Sequence, residues 1–174
     1  MQIVVISDTH GEWNRARQVF DAYPNADVFI HCGDIGYDPK DLPPCCYVKG
    51  NHDISQPFPP RRILHEAGYT MLVTHGQCYE QEVLERIVIR KGMHYEEMQR
   101  ELVQILEDRL CLEAEKYGCQ IVFYGHTHVA SVSQRKGVWL INPGSLAYGE
   151  SGCTYAVIEL GEDVKAEIRK IKGE

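Results

Sequence analysis

The sequence predicts a mixed α/β chain in which two β-sheets pack on one another beside helices, and three observations predict it. Five short apolar runs each end at Gly, His, Asp or Asn. Four more runs, nearer the C-terminus, are joined by Gly-containing turns. Between the two sets, a charged stretch carries its apolar residues at helical spacing. Strands place alternate side chains on opposite faces and helices repeat every 3.6 residues, so these patterns mark different elements.

The first run, Ile3 to Ile6, is β-branched and stops at Ser-Asp-Thr-His-Gly, as a buried strand does when it delivers a polar loop at its carboxyl end. A helix is expected from about Asn14 to Tyr23. Val28 to Cys32 then ends at Gly33-Asp34, and Cys46 to Val48 ends at Gly50-Asn51-His52-Asp53. Met71 to Thr74 ends at His75-Gly76, and Ile121 to Tyr124 ends at Gly125-His126-Thr127-His128. Strand ends are where α/β sheets put their chemistry. In the polar segment between Gly76 and Cys119, Tyr95, Met98, Leu102, Ile105, Leu106 and Leu110 recur at helical spacing. That stripe predicts one long helix, from about Met93 to Lys116, covering the sheet. Val129 to Gln134, Val138 to Ile141, Tyr155 to Leu160 and Val164 to Ile171 read as consecutive antiparallel strands that build the second sheet.

At 174 residues the chain has the length of one domain, expected to span 1–174, and 44% hydrophobic with 25% charged residues excludes a disordered or collagen-like class. A net charge of -7 argues against broad, stable nucleic-acid binding, which depends on Lys and Arg neutralising phosphates. It does not exclude phosphate substrates, because a carboxylate pocket loaded with divalent cations is locally positive. The seven cysteines form no Cys-x-x-Cys pair, and Cys32, Cys45, Cys46 and Cys119 fall in or beside strands; buried, inert thiols are the expectation for all seven. No signal-peptide pattern and no run of about 20 apolar residues occurs, so the expectation is a cytoplasmic chain that does not enter a membrane.

Asp8, His10, Asp34, Asn51, His75, His126 and His128 are the candidate donors. Asp8-x-His10 alone fits turn capping equally well. Gly50-Asn51-His52-Asp53, however, is a string expected on the order of once in a thousand chains of average composition, and the Gly-His-Thr-His string is nearly as rare. Mixed imidazole and carboxylate donors suit manganese, iron, zinc or nickel. Seven donors exceed the needs of one ion, whereas two ions sharing a bridging carboxylate use them all. Ions roughly 3.5–4 Å apart generate a bridging hydroxide near neutral pH and hold a phosphoryl group for in-line attack. The departing alkoxide then needs a proton, and His52 is the natural donor.

This ordered set of motifs resembles the signature of the calcineurin-like metallophosphoesterases. Asn142-Pro143-Gly144-Ser145 adds a resemblance to their small single-domain bacterial and archaeal phosphodiesterase branch. The likeness covers residues 1–76 and 119 to about 160 and implies a two-sheet β-sandwich flanked by helices, a four-layer αββα fold. It also implies roles: Asp8, His10, Asp34 and His128 hold one metal, and Asp34 bridges to a second held by Asn51, His75 and His126. Asn51 and His52 meet the substrate, and His52 protonates the leaving group. The Asn142 to Ser145 turn lies beside the pocket, or is a turn and nothing more. Small phosphodiesters, and phosphomonoesters as well, are the implied substrates, manganese is the first metal, with nickel, iron, zinc or magnesium as alternatives, and a dimer or tetramer is the implied assembly. The alternative reading is a non-catalytic, protein-binding scaffold like the retromer subunit of the same fold, in which the site is degraded. A DNA-repair nuclease fits less well, since the chain has neither spare length nor basic surface.

Two departures from the family stand out. Ile35-Gly36-Tyr37-Asp38 lacks the Arg of the protein Ser/Thr phosphatases, which argues against phosphoproteins. The segment 77–117 is long, and its first part, Gln77 to His94, is expected to shape substrate access or a subunit interface. His31, His65 and His94 lie outside the motifs and read as structural, with His31 placed to pack beneath the site. Lys49, Arg61 and Arg62 read as solvated charge.

Overall fold

The computed structural model describes residues 1–171 except 42, 89, 91, 150 and 151, with residue 39 described by its backbone only. Strand β1 (Gln2–Ile6) has Ile3, Val4, Val5 and Ile6 all fully buried, so both of its faces are covered. Its neighbours are the parallel strand β2 (Val28–His31) and the antiparallel strand β9 (Thr154–Leu160). With β3 (Cys46–Tyr47) and β10 (Val164–Lys170) they make a five-stranded sheet in the order β10-β9-β1-β2-β3. The other sheet runs β4-β5-β6-β8-β7, from β4 (Arg61–Glu66), β5 (Tyr69–Thr74), β6 (Ile121–Phe123), β7 (Ser131–Arg135) and β8 (Val138–Asn142).

Strand periodicity explains the layers. Ile3 and Val5 point inward and pack with Met71, Val73, Phe123 and Ile141 of the opposite sheet. Val4 and Ile6 point outward under helix α1 (Trp13–Ala22), which buries Ala16, Val19 and Phe20 on them. On the far side, Leu72, Val122 and Leu140 point out under helix α3 (Tyr95–Tyr117), which buries Leu106, Leu110 and Ala114. The result is helix, sheet, sheet, helix. Gly118, left-handed at φ 65°, ends α3, and Cys119 N–H donates back to Ala114 O.

Three expectations need correction. The five N-terminal runs do not share a sheet: β1, β2 and β3 lie in one and β5 and β6 in the other. The four C-terminal strands are two separate hairpins, β7–β8 and β9–β10, one in each sheet, and β8 also pairs in parallel with β6. Burial decides this, since β9 is buried at Thr154 through Ile158 and needs a neighbour on each side. Strand β4 went unread because Arg61, Arg62, His65 and Glu66 give it no apolar run; it is the edge partner of β5 across a turn at Ala67-Gly68, both at positive φ. Tyr95, at the start of the helical stripe, is 61% exposed and not core.

The segment 77–94 forms a 3-10 turn at Gln77–Tyr79 and helix α2 (Glu80–Arg86), with residues 89 and 91 outside the described residues. Helix α2 packs on α3 through Val83, and Arg109 pairs with Glu82 at 2.9 Å. No helix among the described residues is long and apolar enough to cross a membrane.

Candidate metal centre

The carboxyl ends of β1, β2, β5 and β6, with the loop after β3, bring all seven candidate donors and His52 together. Asp8 and His75 are fully buried and Asp34 is 2% exposed. The backbone there is strained. Asp8, His10, Asp34, His126 and His128 all adopt left-handed φ between 44° and 70°, a conformation that costs a non-glycine residue roughly 1 kcal/mol or more. Among the described residues the only other non-glycine cases are Ala67 and Lys136, both in hairpin turns. The surroundings impose the strain: Asp8 N–H donates to Gly33 O at 3.0 Å and His10 N–H to Asp34 O at 2.9 Å, lacing the β1 and β2 loops together. Two of the glycines that close approach requires touch the donors directly or through a neighbour. A Cβ on Gly50 would fall on the Asp34 carboxylate, and one on Gly125 would fall on Ser7 Oγ.

Each carboxylate has one oxygen committed and one turned inward. Asp34 Oδ1 accepts from the His52 backbone N–H at 2.8 Å, while Oδ2 lies 3.4 Å from His75 Nε2 and 3.8 Å from His10 Nε2. Asp8 Oδ2 accepts from Ser7 Oγ and from His126 N–H, while Oδ1 lies 3.1 Å from His128 Nε2. Asn51 Oδ1 stands 3.1 Å from both His75 Nε2 and His126 Nδ1. His75 Nδ1–H donates to Cys32 O at 2.7 Å, which leaves the Nε2 lone pair facing the cluster.

The fit to metal is testable on these atoms. Asp8 Oδ1 and His10 Nε2 are buried yet have no hydrogen-bond partner, the signature of polar atoms awaiting an ion. Donors bound at about 2.1 Å to one ion stand about 3.0–3.4 Å apart, close to the separations above. Three overlapping groups have donor atoms within 4.8 Å of one another: Asp8, His10 and His128; His10, Asp34 and His52; and Asp8, Asp34 and His75. Asn51 and His126 adjoin the third group through His75. Asp8 and Asp34 each serve two groups, so the donors present fit divalent metal.

Electrostatics agree with an anionic pocket. Burial raises the Asp34 carboxyl, but the hydrogen bond and charge of His75, with the His52 N–H and His10, outweigh it and hold it at about 2. Burial likewise opposes ionisation of Asp8, and His128, His75 and Ser7 override it, so its pKa is lowered. His10 and His126 are pushed down, chiefly by burial. Burial also acts to lower His75, but Asp34 and Asp8 win and raise it.

His52 is the exposed member at 65%, with Nε2 4.0 Å from Asp34 Oδ2 and its ring 5.0 Å from that of His10. Asn142 and Ser145 brace the site loops and lie outside the candidate ligand groups. Asn142 Nδ2–H bonds Gly125 O and Thr127 Oγ1, and Ser145 Oγ–H donates to the Asp8 carbonyl. His31 lies beneath the site as expected. It accepts from Gly33 N–H at Nδ1, pairs with Thr9 Oγ1 through Nε2, and is driven by burial to a pKa of about 3. His65 and His94 are exposed and apart, Lys49 donates to Ile54 O, Arg61 pairs with Glu113, and Arg62 donates to Tyr47 O. The described residues hold no disulfide, but Cys78 is exposed, so buried thiols are not the rule for all seven.

Sequence reasoning missed three residues. Asp53, inside a quoted motif, received no role; its carboxylate accepts from Asp34 N–H, Gly50 N–H and Ile35 N–H at 2.8–3.0 Å and so clamps the second and third loops. The one formal charge in the Gly50-Asn51-His52-Asp53 string was the available signal. Tyr148 stacks on His10 at 5.0 Å and meets His128 edge-on at 5.2 Å. Glu80 of α2 brings Oε1 to 3.8 Å from His126 Nε2. No sequence pattern singles out either of these two.

The sequence pattern of the calcineurin-like phosphoesterase superfamily domain matches residues 1–163. The chain belongs to the calcineurin-like phosphoesterase superfamily. Metal-assisted hydrolysis of phosphoric esters is the chemistry of these phosphoesterases, and the donor cluster equips this member for it. It is 27% identical to the "Probable metallophosphoesterase YsnB" of Bacillus subtilis over 94% of this chain and 86% of that one. It is 32% identical to a "Probable metallophosphoesterase" of Methanocaldococcus jannaschii over 83% of this chain and 68% of the relative. Among solved structures, a predicted phosphoesterase of Streptococcus pneumoniae superposes with a TM-score of 0.77 at 25% identity, over 97% of this chain and 88% of that one. The phosphoesterase fold is shared more widely: Entamoeba histolytica Vps29, solved with zinc, gives a TM-score of 0.62 at 17% identity over 97% of this chain and 98% of its own.

Proposed function

We propose that the chain hydrolyses phosphodiesters, and phosphomonoesters as well, with two divalent ions and His52 as the proton donor. The observation that carries this reading is the pair of inward, uncommitted carboxylate oxygens, Asp8 Oδ1 and Asp34 Oδ2, each ringed by imidazole nitrogens. Asp8, His10, Asp34 and His128 would hold one ion, and Asp34, Asn51, His75 and His126 the other. The ions, when bound, supply a water ionised near neutral pH and positive charge for the phosphoryl oxygens. Manganese is the first ion to try.

The protein's own groups do the rest. Second-sphere bonds hold the donors before the ions arrive: Cys32 O aims His75, Ser7 and the His126 N–H turn Asp8, and Asp53 fixes the loop that carries Asp34. His52 is free to move toward a departing oxygen, because its backbone is pinned to Asp34 while its ring is exposed. Asn51, beside it, is placed to contact a phosphoryl oxygen. The small, acidic frame favours a small phosphodiester over a nucleic-acid strand. Homo-oligomerisation and a cytoplasmic location belong to the same reading and rest on the resemblance and on the residue pattern.

The scaffold alternative shares the fold of Vps29, at 17% identity, but every donor and His52 are present in this chain. Metal binding alone does not separate the two readings, because a Vps29 chain was solved with zinc. Turnover does. Chelator-stripped protein is assayed on bis(4-nitrophenyl) phosphate with and without manganese, beside His52→Ala. Manganese-dependent release of nitrophenol supports the phosphodiesterase, and because nitrophenolate leaves without a proton, the roughly 10²–10⁴-fold loss in the variant is expected on a diester whose leaving group is an alkoxide. Folded protein that stays inert with manganese, nickel, iron, zinc and magnesium overturns it in favour of the scaffold.

A further inference from the structure

We infer that the cleft between α2 and α3 is a subsite for an apolar ester substituent of the substrate, the one that stays on phosphorus. The inference rests on the phosphodiesterase reading and names the substrate class of that site. A cavity of about 160 Å³ opens there, walled by Val83, Leu84, Leu102, Leu106 and Val129. This is space of the order that takes a single aromatic ring. Its inner end is closed by His126, which also stands 3.1 Å from Asn51 Oδ1 in the donor cluster. The cavity therefore adjoins the donor cluster, with the His126 ring as the shared wall. Leu84 stands 56% exposed at its rim.

Two features choose which substituent enters. His52, the proton donor, lies against His10 and Asp34, whereas the cleft meets the cluster at His126, on the Asn51–His75 side. A leaving oxygen must reach His52, so the group directed toward His126 is the one retained. Glu80 lines the same cavity with its carboxylate 3.8 Å from His126 Nε2. A second phosphate placed there would meet a like charge, which disfavours nucleotide polyphosphates and nucleic-acid strands. A neutral aryl or alkyl group brings no charge against Glu80 and packs on the walls of Val83, Leu84, Leu102, Leu106 and Val129.

The test uses two diesters with one leaving group, methyl 4-nitrophenyl phosphate and benzyl 4-nitrophenyl phosphate, on manganese-loaded protein. Burying most of one phenyl ring predicts kcat/KM about tenfold higher for the benzyl ester, carried by KM. In Leu84→Ser, an exposed position whose change leaves the fold intact, that ratio falls to about one. Calorimetric titration with benzylphosphonate and methylphosphonate reads the same preference without turnover, again about tenfold in Kd and again lost in Leu84→Ser. Equal constants for both pairs, with both diesters hydrolysed, overturn the subsite while the phosphodiesterase reading stands. Tighter benzylphosphonate binding without turnover of either diester refutes the phosphodiesterase and with it the assignment of the cleft to a retained ester substituent, leaving only an apolar binding cleft. A Leu84 effect that tracks the leaving group, or that dissociates an oligomer in place of changing the ratio, also overturns the inference.

Discussion

Replacing Asp53 with Asn changes one atom and tests the argument that this residue clamps the site from behind. The side chain is 3% exposed, and its two oxygens accept three backbone N–H bonds: Oδ2 from Asp34 and Gly50, Oδ1 from Ile35. An amide can supply its oxygen to the first pair, but its NH2 must then face the Ile35 N–H, and Ile35 is fully buried. A buried N–H left without a partner costs about 1–3 kcal/mol, and two bonds to a carboxylate weaken by about 1 kcal/mol each when the acceptor becomes neutral. Burying a neutral amide costs less than burying a charge and returns part of this, so the expected loss is about 3 kcal/mol. With a urea m-value of about 2 kcal/mol/M, the midpoint of unfolding of metal-free protein falls by about 1.5 M. His52→Ala, at an exposed position, stays within about 0.5 kcal/mol of the parent. An Asp53→Asn midpoint within about 0.3 M of the parent would refute the clamp.

Gly50→Ala should be worse for the site than its small size suggests: the new Cβ overlaps the Asp34 carboxylate, so a loss of about 2 kcal/mol or more is expected together with weaker manganese binding by calorimetry. A variant that binds manganese like the parent would contradict the close approach. Manganese at a hundred times its dissociation constant should stabilise the chain by about 2.7 kcal/mol and raise its melting temperature by about 5–10 °C. Asp34→Asn, removing the shared carboxylate, should abolish most of that rise, and a rise of equal size in the variant would count against the shared role. His31 has a folded pKa of about 3 against 6.5, so the unfolded chain holds the extra proton between these values. Its contribution is present above pH 6.5 and lost as pH falls toward 3, at up to about 1.4 kcal/mol per pH unit. Urea titrations of His31→Gln from pH 6 to 4 should show a shallower slope by that amount, and an unchanged slope would place the titration elsewhere.

The donor set was legible because its chemistry sits in short strings at strand ends. Asp8, Asp34, His75 and His126 each follow an apolar run, and a strand end gives its loop a fixed address in space. The sheet partners were not legible. Val28–His31 and Tyr69–Thr74 look alike as sequences, yet one joins β1 and the other the opposite sheet, a choice made by long-range packing. Strand β4 was hidden because an edge strand has one open side and tolerates Arg and His there. Asp53 was hidden for a different reason: a clamp and a ligand are the same residue type, and only the hydrogen bonds tell them apart. Glu80 and Tyr148 reach the centre from elements whose docking follows tertiary packing alone.

The pairing of β1 has a consequence for the order in which the molecule assembles. Ile3 lies beside Val28 on one side and Ile158 on the other, so the middle of the first sheet closes only when nearly the whole chain can take part. Such distant contacts slow folding, because the loop must be closed before any contact rewards it. Asp8 and His10 hang from that strand, and Ser145, just ahead of β9, grips the Asp8 carbonyl. A chain interrupted before β9 would carry every proposed donor and still lack the seam that aligns them, so the capacity to hold metal should arise late, as a mark of finished assembly.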